Sequence, residues 1–296
     1  MSPLGILLVT VSAFTHALWN LLTKRARGTA AFFFLVNGLG ALAFLPLGLW
    51  GALGPGLPAR AWAACAGSGL ALAVYFAGLG WSYERGDMSI IYPLVRAIPV
   101  AAVALIDWAR RGGIRPGAAL GMALVAAGCL WLGREQSRRA GPGGRGGAAA
   151  LAFVLLTAAG TVAYSLLDEY AMRFVRGAGG AYLYVYWEFA LTALFLAPLL
   201  ALRPERAYLQ GMKSGDWRLV GMVSFLNLLT YGLVVWALQT SKVSYVVAFR
   251  QLSIVVGVVL AGAVLGEERL LRRAPAAGAV FAGVLLVGLS DVLGGG

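Results

Sequence analysis

Residues 242–268 read KVSYVVAFRQLSIVVGVVLAGAVLGEE, and the fold turns on them. The stretch is long enough to cross a bilayer and apolar almost throughout, yet Arg250 and Gln251 lie about 12 Å along its axis at a helical rise of about 1.5 Å per residue. An arginine at that depth is costly unless it faces a water-filled cavity, an acid or a ligand, so its default reading is functional. An earlier copy of the pattern lies at an offset of 155 residues: Trp81, Ser89, Val100, Val103 and Leu105 recur as Trp236, Ser244, Val255, Val258 and Leu260. Trp62 matches Trp217 at the same offset, and Ala127-Gly128 to Gly133 matches Ala282-Gly283 to Gly288. The chain reads as a duplication.

Composition agrees with membrane residence. Of the 296 residues, 60% are hydrophobic and 12% charged, and the mean hydropathy is +0.81; soluble domains carry about twice that share of charge. The opening apolar run continues past the length of a signal-peptide core, with no cleavage pattern. Cys65 and Cys129 both fall inside apolar stretches and imply neither a disulfide framework nor a metal site. The net charge of +12 does not mark a nucleic-acid binder, because Lys and Arg sit in short loops between apolar spans and only Arg96 and Arg250 lie deep inside them.

Length and interruption delimit ten spans, at about 3–23, 30–50, 61–82, 88–108, 114–133, 147–170, 181–202, 217–239, 242–266 and 274–292. The expected class is an all-α membrane protein of ten transmembrane helices. Residues 1–133 form a first five-helix repeat, 134–146 (REQSRRAGPGGRG) a basic, Gly-rich linker, and 147–296 a second repeat. Five is odd, so the second set enters the membrane inverted, an arrangement found in transporters whose substrate site lies between the halves.

Polar residues inside apolar stretches supply the site candidates. Span one carries His16 and Asn20 one turn apart with Trp19 beside them. His16 reads either as a neutral ring bonded to a neighbouring carbonyl or as a substrate or proton site. Span four, MSIIYPLVRAIPVAAVALIDW, is expected to be broken by Pro93 and Pro99, each of which removes a backbone donor, and it presents Tyr92 and Arg96 on one face. Span two is expected to end near Pro46. In span seven, Tyr182 and Tyr184 fit an interfacial aromatic belt, whereas Glu188 lies two turns inside and pairs with a base, binds a cation or carries a proton. Span eight offers Asn227 and Tyr231 on one face, for a ligand or for neighbouring helices. Gly113, Gly117 and Gly121 have the spacing that lets helices approach closely, either within the chain or across a weak dimer.

Two five-span halves, the linker between them, Trp-x7-Ser heading spans four and nine, and GEE after span nine make the whole chain resemble the drug/metabolite transporter superfamily, EamA type. The resemblance implies that spans one to four and six to nine line a cavity braced by five and ten. It also implies secondary transport, often export of amino acids or other small metabolites. The cavity candidates are then His16, Trp19, Asn20, Tyr92, Arg96, Glu188, Asn227, Tyr231, Arg250 and Gln251, chosen for buried polarity.

The expected function is alternating-access transport, as an exporter, of a small zwitterionic or anionic metabolite such as an amino acid across a bacterial-type inner membrane. The arginines would hold a carboxylate and Glu188 an amine or proton. Glu188 and His16 are the candidates for proton coupling. Rival cargoes are a phosphate- or phosphonate-bearing metabolite, a lipid-linked phosphate, or an organic cation held by Glu188 and aromatic rings. A membrane-embedded enzyme finds no metal cluster and no Ser/His/Asp arrangement to support it. No cofactor, metal or nucleic acid is implied; the partners are the small-molecule substrate, the bilayer and protons, with the chain a monomer or weak dimer. Loops after odd-numbered spans carry 15 Lys/Arg against 7 on the opposite side, which puts both termini outside, although Arg110, Arg111 and Arg115 run against that bias.

Overall fold

The computed structural model describes residues 1–23, 29–54, 56–85, 88–137, 148–265 and 270–290. Each of the ten apolar stretches is helical over most of its described residues, and no strand occurs among the described residues. In chain order the helices are α1 (Pro3–Thr23), α2 (Ala30–Ala43), α3 (Leu45–Leu53), α4 (Ala59–Arg85), α5 (Met88–Arg111), α6 (Pro116–Ser137), α7 (Ala148–Ala171), α8 (Gly177–Leu196), α9 (Arg203–Gln210), α10 (Ser214–Ala237), α11 (Val243–Phe249), α12 (Leu252–Leu265) and α13 (Leu270–Leu289). Six described segments are long and apolar enough to span a bilayer, and the α2–α3 pair, bent by 57°, makes a seventh; Pro3–Trp19 and Arg273–Leu289 are shorter apolar helices. Large apolar side chains such as Leu7, Phe14, Leu42, Leu105 and Leu194 point outward. On a soluble protein they would form an aggregating belt; here they meet lipid, and the chain is a multi-pass membrane protein.

Prolines act differently from the expectation. Helix α5 runs continuously through Pro93 and Pro99, because each deletes one rung of the hydrogen-bond ladder and intact turns flank both. Span two does not stop at Pro46: the chain bends and restarts as α3 with the proline in its first turn, where the missing N–H has no helical partner to lose. The first turn of α2 is secured by Thr29, whose hydroxyl accepts from Phe32 N at 3.2 Å. It is also capped by buried Glu205 on α9, which accepts from Ala31 N at 2.7 Å.

The break falls instead in the opening stretch of sequence. After Phe249 the ladder tightens: Gln251 N bonds Ala248 O at 3.1 Å, Ser253 N bonds Arg250 O at 3.1 Å and Ile254 N bonds Gln251 O at 2.9 Å. Side chains take up the displaced acceptors, Gln251 Nε2 donating to Val247 O at 3.1 Å and Ser253 Oγ to Arg250 O at 2.9 Å. Inside a membrane such a break is sustained only where polar groups are satisfied locally or face a cavity.

The extensive packings come in matched pairs: α4 on α7 with α10 on α1, α4 on α8 with α10 on α2, α5 on α6 with α12 on α13, and α5 on α7 with α12 on α1. Glycine permits the closest of them. A Cβ added at Gly121 on α6 would lie 2.6 Å from Gly283 O on α13, and one at Gly128 would lie 3.0 Å from Ala276 O. Gly121 is thus spent on packing within the chain.

Candidate functional site

Helices α4, α7, α8 and α10 converge with the α11–α12 break around two carboxyl groups. Asp168 on α7 and Glu188 on α8 are 1% and 0% exposed, far below what an unpartnered acid tolerates. Ser68 Oγ on α4 stands between them, 2.6 Å from Asp168 Oδ1 and 2.8 Å from Glu188 Oε1. Asp168 also accepts from the hydroxyl of Tyr184 at 2.9 Å and from that of Tyr231 on α10. No arginine forms an ion pair with either acid among the described residues.

Arg250 is carried to this cluster by the break. Its guanidinium lies 5.5 Å from the centroid of the Tyr231 ring, whose hydroxyl meets Asp168, and it donates to Tyr164 on α7. Arg250, Tyr231, Asp168 and Ser165 line one narrow cleft, walled by Val234, Leu238, Val243, Val246 and Val247. Aromatic faces enclose it, with Tyr164 and Tyr231 rings 5.9 Å apart and Phe189 stacked on Tyr231 at 6.0 Å. Ser165 Oγ, Glu188 Oε2 and Gln251 Oε1 are buried without a hydrogen-bond partner among the described residues. Unsatisfied polar atoms on this scale are normally confined to places where water or a ligand completes them.

A second group of candidates meets between α1 and α5. Arg96 Nη2 contacts His16 Nε2 at 2.7 Å, and the edge of His16 packs on Trp19 with ring centroids 4.8 Å apart. An arginine N–H can only donate, so His16 Nε2 accepts and the ring is neutral with its proton on Nδ1. Arg96 and Arg250 are near enough to repel one another.

The structure therefore gathers His16, Trp19 and Arg96 in one group and Glu188, Tyr231 and Arg250 in the other. Asn227 is buried one turn before Tyr231. Gln251 is buried and bonds back to the main chain at the break. The side chains of Asn20 and Tyr92 lie outside the described residues. Tyr184 is a correction: rather than sitting in an interfacial belt it is 0% exposed, because the face of α8 that carries it packs on α4. Asp168, Ser68, Tyr164 and Tyr184 were not among the sequence candidates. The polar stripe Thr157, Thr161, Tyr164 and Asp168, at i, i+4, i+7 and i+11 along α7, was the legible signal for two of them.

Beside this cluster, at the end of the bundle where α5 and α7 finish and α11 starts, acids meet arginines. Asp107 accepts from Arg111 and from Ser244 Oγ on α11; Glu169 accepts from Arg111, from Arg110 at 3.4 Å, and lies 3.9 Å from Arg173. Among the described residues, no group of three or more His, Cys, Asp or Glu is placed to hold a metal ion.

Comparison with known proteins fits this architecture. The EamA-like transporter family profile matches residues 147–289. A solved structure titled only "Crystal structure of protein" shares the fold at a TM-score of 0.69 over 98% of both chains, with 17% sequence identity. No curated protein matches the sequence.

Proposed function

Given that the chain carries an EamA-like transporter domain and so belongs to the drug/metabolite transporter superfamily, we propose that it is a secondary active transporter for a small zwitterionic or anionic metabolite such as an amino acid. Its two five-helix halves, residues 1–133 and 147–296 joined by 134–146, are inverted repeats that rock around a central site. The matched helix packings support this, since exchanging each helix for its counterpart in the other half turns α4 on α7 into α10 on α1. The glycine contacts obey the same exchange, Gly128 with Ala276 becoming Gly283 with Gly121.

The observation that carries the reading is the broken helix with Arg250 at its break, facing a cleft that also holds a buried acid. Discontinuous helices at mid-depth form substrate and ion sites in transporters. A guanidinium offers paired donors to a carboxylate, and the acids opposite suit an ammonium. His16, bonded to Arg96 as an acceptor, is the poorer proton carrier: a proton on its Nε2 would set two cations face to face. The ion pairs from α5 to α7, with Ser244 on α11 bonded to Asp107, join the two halves at one end, and alternating access requires that they part. Arg110, Arg111 and Arg173 serve this network, which accounts for cations on the side assigned as outer by the loop bias. The proposal keeps both termini outside and the linker in the cytoplasm of an inner membrane, with export as the direction.

One observation favours a second cargo: two acids enclosed by Tyr164, Tyr231 and Phe189 would also suit an organic cation. The test is Arg250→Lys, measured for melting temperature and for affinity toward a metabolite panel. Lysine keeps the charge but not the fork, so normal melting with affinity for a carboxylate ligand reduced about ten- to a hundredfold supports the first reading. Normal melting with unchanged affinity for a cation supports the second. Lost melting with no specific binding defect returns Arg250 to the scaffold.

A further inference from the structure

The hydrogen atoms around Ser68 do not add up unless a carboxyl group carries one. Four oxygen–oxygen contacts join the set: Ser68 with Asp168 at 2.6 Å, Ser68 with Glu188 at 2.8 Å, Tyr184 with Asp168 at 2.9 Å, and Tyr231 with Asp168. Each contact needs one hydrogen between its oxygens, and the three hydroxyls supply one each. With both acids ionised, Ser68 would face one carboxylate oxygen with nothing between. A fourth hydrogen on the acids completes the set.

From this count we propose that Asp168, Ser68 and Glu188 form a one-proton site, and that this proton is the coupling ion of the transport reading on which the inference rests. The partners decide where it resides. Asp168 faces two tyrosine hydroxyls besides Ser68, all able to donate to a carboxylate. Among the described residues the Glu188 carboxyl hydrogen-bonds only Ser68, and its Oε2 is buried without a partner, so it is the acid that holds the proton and donates to Ser68 Oγ while Ser68 donates to Asp168. Loss of the proton leaves two buried anions that share a single hydroxyl hydrogen, a state that a cation in the cleft would stabilise. Uptake and release thus involve one O–H bond on Glu188 and no other covalent change.

The charged and titratable groups facing the pair are Cys65 on α4, Tyr164 on α7, Tyr184 on α8, Tyr231 on α10 and Arg250 at the break. Helices α2 and α3, also packed on α8, carry no titratable side chain, and α5 directs Arg110 and Arg111 to Glu169 instead. Arg250 is the one permanent cation in this group, and Tyr231 connects it to Asp168. A substrate ammonium placed opposite the acids would add a second cation and loosen the pair's hold on its proton, so substrate and proton would occupy the site in turn and move in opposite directions, the coupling that export requires.

Infrared difference spectroscopy on the purified full-length protein, without substrate, tests the site directly. The expected result is a protonated-carboxyl C=O band at neutral pH that shifts in D2O, disappears reversibly on alkaline titration, and is absent from Glu188→Gln. A wild-type spectrum without that band, or a band that Glu188→Gln retains, would overturn the site. A band that neither exchanges nor titrates would mark a structural acid and overturn the coupling role. Because no substrate is present, these outcomes are independent of the Arg250→Lys binding result, which tests the transport reading.

Discussion

Asp168 and Glu169 are neighbours in sequence, both on α7 and both buried, and they have opposite partners. A helix turns about 100° per residue, enough to send one acid inward to hydroxyls and the other to the arginines of α5. Glu169 is held by Arg110 and Arg111 of α5, with Arg173 also near, and these ion pairs tie α5 to α7. Asp168 and Glu188 share the Ser68 hydroxyl, and Asp168 accepts from two tyrosine hydroxyls as well, groups that satisfy a carboxylate without compelling it to stay ionised. On the proposal above, the acid that faces arginines is scaffold and the pair that faces hydroxyls carries the proton.

Substitutions that exchange these surroundings test the contrast. The largest stability loss is expected for Glu169→Ala, which removes charged hydrogen bonds to partly exposed arginines and should cost about 1–3 kcal/mol in thermal unfolding. Unchanged melting would deny the network its structural role. Ser244→Ala should cost about 1 kcal/mol, one hydrogen bond to Asp107, and a larger loss would mean that the serine holds more than that contact. Asp168→Asn should cost less than Glu169→Ala, since the buried charge goes together with its hydrogen-bond preference. Smallest of all is Glu188→Gln, expected to lie within about 0.5 kcal/mol of wild type, because an amide has the shape of the protonated acid and can also donate to Ser68. A steep loss there would show Glu188 to be an anion in the resting protein.

The same contrast measures what the sequence could disclose. Apolar runs long enough to span a bilayer gave the helices to within a few residues, because hydrocarbon leaves a helix as the simplest way to satisfy each backbone group. Arg250 and Glu188 stood out as isolated charges in apolar stretches. Asp168 did not, because it stands beside Glu169 near a helix end with Arg173 close behind, one of several neighbouring charges rather than an isolated one. Ser68 gave no signal, lying among alanines and glycines with nothing to mark it. The helix break was expected at Pro93 and Pro99 and occurs at Arg250–Gln251, where a glutamine and a serine side chain replace the missing backbone bonds. Periodicity reports where a helix runs, but not which side chains meet across four of them.

Transport in Glu188→Gln proteoliposomes tests the account most directly, with a labelled amino-acid mixture as cargo and the wild type as reference. Counterflow of the label should persist, because the Arg250 cleft is intact, while accumulation driven by an imposed pH gradient should vanish with the exchangeable proton. Accumulation that survives the substitution at the wild-type level would contradict the account.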